Sequence, residues 1–358
     1  MIFRKSLKVK IIFLWNFFSI YYAFYKRHKA IYSNSNFKKN LLTKKEKKEY
    51  LTYWRKINPF ISLKTVEITK SFTGVYNKEI IPEEIYALYV EPLLNNRTEV
   101  SFLQIKAFYN KWFGEGIFPS DYLFKINNEF YNPKFSKIID IDSYINKLDI
   151  NFPVVIKPTL DTWGGANIYF TDNKADLLSI CAKMPDIVIQ EKIKQSPLIY
   201  RYYNDSISSV RVCILNLNGK IYILNNNLRM GRDGSLDNIG AGGMSCNISS
   251  QGFLNNFAVD KLGNKYFKHP NSSIVFSNEK IPFYEDLIEA SKKIANKIFY
   301  AKLISLDMYL DIENKWKCIE VNLLGQTIRF AQYAGEPFFG SLTEQIVDKI
   351  VATKKGKN

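Results

Sequence analysis

Hydrophobic and polar positions predict short helices in the first 150 residues of the chain. Pro82 stands at the first turn of one helix, and the following Glu83 and Glu84 favour the positive end of the helix dipole. Asn127-Asn128 lies between two apolar runs and predicts a hairpin turn. Residues 60–75 are predicted to be irregular. Helices are predicted over residues 49–58, 82–90, about 104–113 and 140–148.

From residue 152 the chain changes to a pattern of strands and helices. Tight turns at Gly219-Lys220 and Glu313-Asn314 join consecutive strands, which predicts antiparallel pairing. Helices are predicted over residues 174–183, 283–300 and 341–353. Strands are predicted in the segments FPVVIKP, IYF, DIVIQEKI, VRVCILNL, IYILNNNLRM, LISLDMYLDI and WKCIEVN. The predicted fold class is therefore α+β, built mostly of antiparallel hairpins.

An aromatic segment, IIFLWNFFSIYYAFY, runs from Ile11 to Tyr25 between lysine and arginine residues. Its length as a helix is about 22 Å, shorter than the roughly 30 Å hydrocarbon core of a bilayer. Aromatic residues between cations favour a helix that lies in a lipid interface, so residues 8–29 are a candidate for peripheral membrane contact. A helix docked on the protein's own core, a true span and a signal peptide remain alternatives, although no small-residue cleavage site follows.

The basic charge of the chain is concentrated at its N-terminus. Residues 1–50 hold 13 of the 50 lysines and arginines but 2 of the 34 acidic residues, so they carry +11 of the net charge of +16. The remaining residues are only mildly basic. A nucleic-acid partner, which the total charge alone would suggest, is therefore not expected.

Cysteine and histidine usage excludes several kinds of site. Two histidines cannot build a multi-histidine metal centre, and a Ser-His-Asp mechanism would have to use His269. The four cysteines form no Cys-x-x-Cys pair and lie far apart, at Cys181, Cys213, Cys246 and Cys318. This spacing is neither a disulfide framework nor a thiolate metal site, and it suits a reducing compartment such as the cytoplasm.

Two segments combine glycine with basic residues. Lys157 leaves a predicted strand and precedes a loop that contains Gly164 and Gly165, an arrangement that supplies positive potential to a phosphate without bulk. Five of the 17 glycines fall within residues 231–243, directly after a predicted strand, which suits a loop shaped around a ligand. A solvated edge lysine and a mobile surface loop are the respective alternatives.

Charged residues also lie on the late strands. Asp307 and Glu320 flank a tight turn, so antiparallel pairing would bring them side by side, and Asn322 follows on the same strand face. Two carboxylates and an amide oxygen are ligands suited to Mg²⁺ with bound phosphates; a structural salt bridge is the alternative. Arg211 and Arg229 stand on neighbouring predicted strands and suit a phosphate or an anionic intermediate.

Together these features resemble the ATP-grasp superfamily over about residues 100–330. Over roughly residues 50–345 the chain is similar to the sugar-transfer-associated ATP-grasp proteins of bacterial capsule and surface-polysaccharide clusters. The segments that carry this resemblance are YWRK, IPEEIYALYVEPLLN, KPTLDTWGGANI, SSVRV and LRMGRDGSLDNIGAGGMS. The resemblance implies an ATP-grasp fold, in which two α+β subdomains grip ATP between antiparallel sheets, with a helical N-terminal extension. It implies four regions: a basic aromatic segment (1–50), a pre-grasp region (51–117), a lid subdomain (118–190) and a C-terminal subdomain with the metal site (191–358).

The resemblance also implies roles for individual residues. Lys106 corresponds to the lysine that precedes the lid and Lys157 to the lid lysine, so both would bind ATP phosphates. The glycines Gly164 and Gly165 belong to the same ATP-binding set, and the adenine-binding hinge is expected at Gln190, Glu191, Lys192 and Ile193. The magnesium set would be Asp307, Glu320 and Asn322, and the catalytic arginines would be Arg229 and Arg211.

The implied activity is that of an ATP- and Mg²⁺-dependent carboxylate–amine ligase that acts through an acyl phosphate. Its partners would be small-molecule carboxylate and amine substrates, sugar-linked, in surface-polysaccharide biosynthesis. The expected location is cytoplasmic, at the inner face of the plasma membrane. An ATP-dependent sugar kinase and a non-catalytic nucleotide-binding module of a polysaccharide assembly complex are the alternatives.

Overall fold

The N-terminal part of the chain is helical. A computed structural model describes residues 2–160 and 167–356. Residues 60–75, predicted to be irregular, contain a helix, because Val66 packs into one buried core while Ile68 and Phe72 pack into another. The helices are α1 Ile2–Tyr32, α2 Lys44–Trp54, α3 Lys64–Thr73, α4 Glu83–Ile85, α5 Glu91–Leu94, α6 Arg97–Val100, α7 Tyr109–Phe113, α8 Ile141–Lys147, α9 Lys174–Lys183, α10 Pro197–Tyr200, α11 Tyr284–Ala295, α12 Arg329–Gln332 and α13 Thr343–Lys355. A π-helical turn, Tyr86–Val90, joins α4 to α5.

The strands form two antiparallel sheets. They are β1 Asp121–Ile126, β2 Glu129–Tyr131, β3 Lys137–Ile138, β4 Val154–Pro158, β5 Tyr169–Thr171, β6 Ile187–Glu191, β7 Ser209–Leu217, β8 Lys220–Ile223, β9 Asn226–Met230, β10 Met244–Ile248, β11 Leu254–Asp260, β12 Lys265–Tyr266, β13 Leu303–Leu310 and β14 Trp316–Asn322. The segment predicted as one strand, IYILNNNLRM, is two strands, because the Asn226 side chain accepts a hydrogen bond from the backbone of Cys213 where the ladder would continue.

The first sheet has the strand order β3-β2-β1-β6-β4-β5. Its β1–β2 hairpin turns at Asn127 and Asn128, both with positive φ, as the sequence predicted. Ile156 and Ile189 pack with helices α8 and α9 on one face. Because side chains alternate along a strand, Lys157 and Gln190 lie on the opposite face. That face is turned toward the start of α7 and the second sheet.

The second sheet has the order β12-β11-β10-β9-β7-β13-β14, with β8 also paired to β7. Helix α11 packs against β7, β13 and β14, and Val212, Leu228 and Met308 lie in that core. Arg211 and Asp307, which alternate with core residues, therefore lie on the other face. The second sheet thus presents charged side chains toward the first.

Helix α1 docks on the protein along one side. Ile31 packs with Phe37 and Phe72 in a small buried core, and the Tyr21 hydroxyl donates a hydrogen bond to the Phe60 carbonyl. The interpretation as a docked helix is therefore correct for the C-terminal half of α1. Within the described ranges, no helix combines the length and apolarity needed to cross a membrane.

Candidate active site

Strands β13 and β14 bring the predicted metal residues together. Asp307 and Glu320 are direct cross-strand partners, and the Asn322 amide donates a hydrogen bond of 3.3 Å to Asp307 Oδ2. The pairing depends on a β-bulge, since the register shifts between Asp307 and Met308. Cys318 and Val321 both reach the core, which a regular strand would not allow at a spacing of three residues. The bulge therefore turns Glu320 onto the face that carries Asp307.

Two arginines bind the Asp307 carboxylate. Arg211 on β7 lies opposite Asp307, and its Nε and Nη2 donate hydrogen bonds of 2.8 Å to the two carboxylate oxygens. Arg229 Nη1 on β9 lies 2.9 Å from Oδ2. Burial by itself would raise the pKa of Asp307, but the two guanidinium groups hold it well below its usual range. Asp307 therefore remains ionised and fixes both arginines.

Two lysines reach the same place from the other side. Lys106 lies in a 3₁₀ turn before α7, where its backbone N–H donates to the carbonyl of Thr159, and its Nζ lies 2.8 Å from Glu320 Oε1. Lys157 on β4 is buried, and burial together with the charge of Lys106 lowers its pKa to about 8, although Glu320 opposes this shift. The two lysines extend the positive charge of the arginines toward the first sheet.

The predicted hinge begins in the last two residues of β6 and continues beyond the strand. Gln190 is buried, and its Nε2 donates a hydrogen bond of 2.7 Å to Asp121 Oδ1, while Gln190 Oε1 accepts none among the described residues. The Glu191 carboxylate accepts hydrogen bonds from Ser120, and the Glu191 backbone N–H donates to the Ser120 carbonyl. Beyond the strand the side chains of Lys192 and Ile193 are exposed and partly exposed respectively. The predicted loop residues Gly164 and Gly165 lie outside the described residues.

Two carboxylates of this region were not predicted from the sequence. Asp121, at the start of β1, also accepts a hydrogen bond of 2.8 Å from Asn110, and burial raises its pKa. Asp237 lies in the glycine-rich loop after β9, where Ser209 Oγ donates to it. Burial raises the pKa of Asp237, against the opposing effect of Arg229. The glycine-rich sequence around Asp237 could have indicated that residue as part of the site. Asp121 lies in a strand whose sequence contains no motif that would indicate a functional residue.

A cavity of about 410 Å³ lies on the second sheet and against α12. Asn247 on β10 is paired with Asn227, two residues from the Ser245–Arg229 pair, so the polar face of the sheet continues from the arginines toward this cavity. Glu336 is the charged residue in its lining. The remaining polar lining consists of amides and hydroxyls, at Asn225, Asn247, Ser249, Asn255, Asn256, Ser277 and Asn278.

Comparison with protein families decides the family of the chain. The sequence profile of the sugar-transfer-associated ATP-grasp family matches residues 87–347, well over half of the chain. The chain belongs to this family. Its fold is therefore the α+β ATP-grasp fold with a helical N-terminal extension, as the sequence predicted.

Three solved structures that are similar to this ATP-grasp protein share little sequence with it. The VanG D-Ala:D-Ser ligase of Enterococcus faecalis is 14% identical with a TM-score of 0.42, and the alignment covers 71% of this chain and 63% of that one. The D-alanine–D-alanine ligase of Bacillus anthracis, solved with ATP, is 18% identical with a TM-score of 0.42 over 74% and 72% of the two chains. A Staphylococcus aureus N5-carboxyaminoimidazole synthetase, solved with ADP, is 13% identical with a TM-score of 0.40 over 65% and 48%. A search of curated protein sequences found no match.

The side chains predicted to hold magnesium are of the oxygen-donor kind that this ion prefers, and the structure brings them together. Asp307 and Glu320 are adjacent across the strands and the Asn322 amide N–H donates to Asp307, so two carboxylates and an amide group meet at one place. In the described parts of the chain, no group of three histidine, cysteine, aspartate or glutamate side chains forms a candidate metal site. The fit therefore rests on the mixed carboxylate–amide set.

Proposed function

We propose that this protein is an ATP- and Mg²⁺-dependent ligase that joins a carboxylate to an amine through an acyl phosphate. The observation that carries the proposal is the convergence of four cations on the Asp307–Glu320–Asn322 set. These cations are Lys106, Lys157, Arg211 and Arg229. A triphosphate with a divalent ion requires such an excess of positive charge around an acidic metal set. The ATP-grasp family membership supports the nucleotide.

The nucleotide would lie between the two sheets. Lys106 and Lys157 would bind its phosphates together with Gly164 and Gly165, and the segment Gln190, Glu191, Lys192 and Ile193 would hold the adenine. Because the Glu191 N–H already donates to Ser120, adenine recognition falls to the Glu191 carbonyl and the backbone of Lys192 and Ile193. The buried Gln190 Oε1, which accepts no hydrogen bond from the described residues, can serve the same face.

Asp307, Glu320 and Asn322 would hold Mg²⁺, which supplies charge neutralisation between the phosphates. Glu320 contacts Lys106 in the structure, so a metal ligand and a phosphate-binding lysine would stand side by side in the proposed site. Arg211 and Arg229 stay oriented by Asp307, so their remaining N–H groups are placed for the transferred phosphoryl group. The acidic residues thus hold the cations in position before the nucleotide binds.

The proposed reaction has two steps. A carboxylate oxygen of the first substrate attacks the γ-phosphorus of ATP, the bond to the β–γ bridging oxygen breaks, and ADP leaves. A neutral amine then attacks the acyl carbon, phosphate leaves with the carbon–oxygen bonding pair, and the amine proton passes to phosphate or water. Arg211 and Arg229 would stabilise the negative charge that develops in both steps.

The substrates are proposed to be a sugar or an amino acid of surface-polysaccharide biosynthesis. The family description supports the association with sugar transfer. The cavity on the sheet that carries the arginines supports it further, because amide and hydroxyl side chains with an exposed aromatic ring, Phe253, suit an uncharged, hydroxyl-rich group. Its single carboxylate, Glu336, would favour a sugar that carries an amine over one that carries a second anion.

A sugar kinase is the second candidate, and Asp237 favours it. A kinase needs a base for an acceptor hydroxyl, and burial raises the pKa of Asp237 next to the arginines. The two reactions differ in their products. A ligase releases ADP and phosphate and joins two substrates with loss of water, whereas a kinase releases ADP and adds a phosphoryl group to one substrate.

The test replaces Glu320 in the purified protein. Glu320→Gln keeps the size of the side chain but removes a charged metal ligand, so we expect Mg²⁺-dependent ADP release to fall roughly 100-fold or more. Glu313→Gln, in the exposed turn of the same hairpin, is the matched control and should retain activity. Full activity of Glu320→Gln would disprove the metal assignment.

ADP release is measured against panels of amino acids, uronic acids and amino sugars, with the products identified by mass. Joined products support the ligase, and phosphorylated sugars support the kinase. If ATP neither turns over nor raises the melting temperature of the wild-type protein, the chain is a non-catalytic module and the proposal fails.

A further inference from the structure

Four large aromatic side chains of helix α1 are exposed together. Trp15, Phe18, Tyr22 and Tyr25 have 74%, 66%, 59% and 59% of their surface accessible. With 3.6 residues per turn, they fall within an arc of about 80° around the helix axis. We call this set the aromatic stripe. Four such residues on one helix face form a continuous apolar surface that the fold leaves uncovered.

The neighbouring side of α1 is fixed to the body of the protein. His28 Nε2 lies 3.0 Å from Glu83 Oε2, with both side chains buried, and Arg329 Nη1 lies 3.3 Å from the other oxygen of Glu83. The Phe17 and Phe60 rings are 6.2 Å apart between centroids. Because α1 is held by one side, the aromatic stripe has a set direction and cannot turn inward without breaking these contacts.

Cations border the aromatic stripe. Lys26 Nζ lies 4.7 Å from the centre of the Tyr22 ring, and Lys26 and Lys29 are exposed. The stretch of residues 1–50 that contains α1 has the excess of positive charge, +11. An aromatic surface bordered by lysines is complementary to the interface of a membrane with anionic lipids, where tryptophan and tyrosine rings lie at the level of the headgroups.

We propose that the aromatic stripe of α1, with Lys26 and Lys29, docks the protein onto an anionic lipid surface. The helix lies in the plane of the interface, with its neighbouring side still attached to the protein. The surface shares no residue with the nucleotide site, so this proposal and the ligase proposal fail independently.

The test uses the full-length protein and sedimentation with vesicles. We expect binding to phosphatidylcholine vesicles that contain about 30% phosphatidylglycerol, and much weaker binding to phosphatidylcholine alone. The triple variant Trp15→Gln, Phe18→Gln and Tyr22→Gln should bind at least about tenfold more weakly, because it removes most of the inserted apolar surface. The double variant Lys26→Gln and Lys29→Gln should lose about fivefold per lysine, and less at high salt.

The control is the double variant Phe299→Gln and Tyr300→Gln, which removes two aromatic rings that are equally exposed elsewhere. It should bind vesicles like the wild type, and all variants should keep the wild-type melting temperature. Absence of wild-type vesicle binding at low salt, or unchanged binding of the triple variant, would overturn the proposal. The proposal would also be overturned if light scattering showed that the wild type is a dimer and the triple variant a monomer, because a second copy of the chain would then cover the aromatic stripe.

Discussion

At the scale of single residues, Asp307 organises the site. Its carboxylate binds Arg211 through two hydrogen bonds and contacts Arg229 as well, although the metal proposal also assigns it to Mg²⁺. A carboxylate with two oxygens can serve both, but removing it leaves two guanidinium groups without their partner.

Asp307→Asn is therefore expected to lower the free energy of unfolding by about 3 kcal/mol, measured by urea denaturation at pH 7. The pKa of Asp307 is lowered by folding, so its stabilisation is complete above the unfolded value near pH 4 and is lost as the pH falls. The difference between wild type and variant should accordingly shrink below about pH 4. Asp149→Asn, at an exposed aspartate, is the control, and equal stability of Asp307→Asn and wild type would contradict the ion-pair account.

Lys157 predicts the pH dependence of nucleotide binding. Its pKa is lowered to about 8, so it loses its charge as the pH rises through that value, and ATP phosphates would restore the charge. We expect the affinity for ATP to fall above pH 8. Calorimetry at pH 8, repeated in buffers of different ionisation enthalpy, should show that the protein takes up protons when ATP binds. Lys157→Gln should abolish both effects, whereas Lys147→Gln, at an exposed lysine, should not. An affinity that does not change between pH 7 and pH 9 would exclude a Lys157–phosphate contact.

At the scale of elements, the glycine-rich loop after β9 requires glycine for space at Gly243. A Cβ atom there would lie 2.8 Å from the carbonyl oxygens of Leu236 and Met230 and 2.9 Å from that of Asp237. The backbone of the loop passes too close for any side chain, and the same loop carries Asp237 to the arginines.

Gly243→Ala should therefore displace the loop, with a loss of about 1–3 kcal/mol in stability and a lower kcat. Gly240→Ala is the matched control in the same loop, because its nearest neighbour is the movable Asn238 side chain at 3.0 Å. Activity and melting temperature are measured for both. If the two variants behave alike, the close approach at Gly243 is not what shapes the loop.

At the scale of the whole molecule, the site needs both sheets. Lys157 comes from β4 of the first sheet, Glu320 from β14 of the second, and Lys106 from the turn between α6 and α7 that touches both. A nucleotide bound among them would connect the two sheets.

MgATP should therefore slow hydrogen exchange in peptides that cover β4 and in peptides that cover β14, while β11 and β12 at the far edge serve as the internal control. Ligand at about 100 times its Kd should add roughly 2.7 kcal/mol to the free energy of unfolding. Protection confined to one sheet would show that the nucleotide does not lie between them.

Local patterns in the sequence determined much of the fold. Alternating apolar residues predicted β13 and β14, Asn127 and Asn128 predicted the β1–β2 hairpin, and helix α9 begins and ends where predicted, at Lys174–Lys183. These features depend on residues close in sequence, where turn chemistry and side-chain alternation act directly. The short helix α3 was missed, because its buried residues pack against residues far away in the chain, and strands β10 to β12 were missed although they pair with strands next to them in sequence.

The sequence by itself also brought Asp307, Glu320 and Asn322 to one hairpin, and residue types and order indicated an ATP-grasp protein. The tertiary structure decided the rest. A bulge near Glu320 set the face on which it lies, and packing from other strands placed Asp237 beside the arginines. The same holds for α1, whose composition left docking and membrane contact as alternatives; the structure buries one side and exposes the other. The face of a sheet or helix on which a side chain lies, its burial and its ion pairs depend on contacts between residues far apart in the chain. Periodicity along the chain therefore cannot determine them.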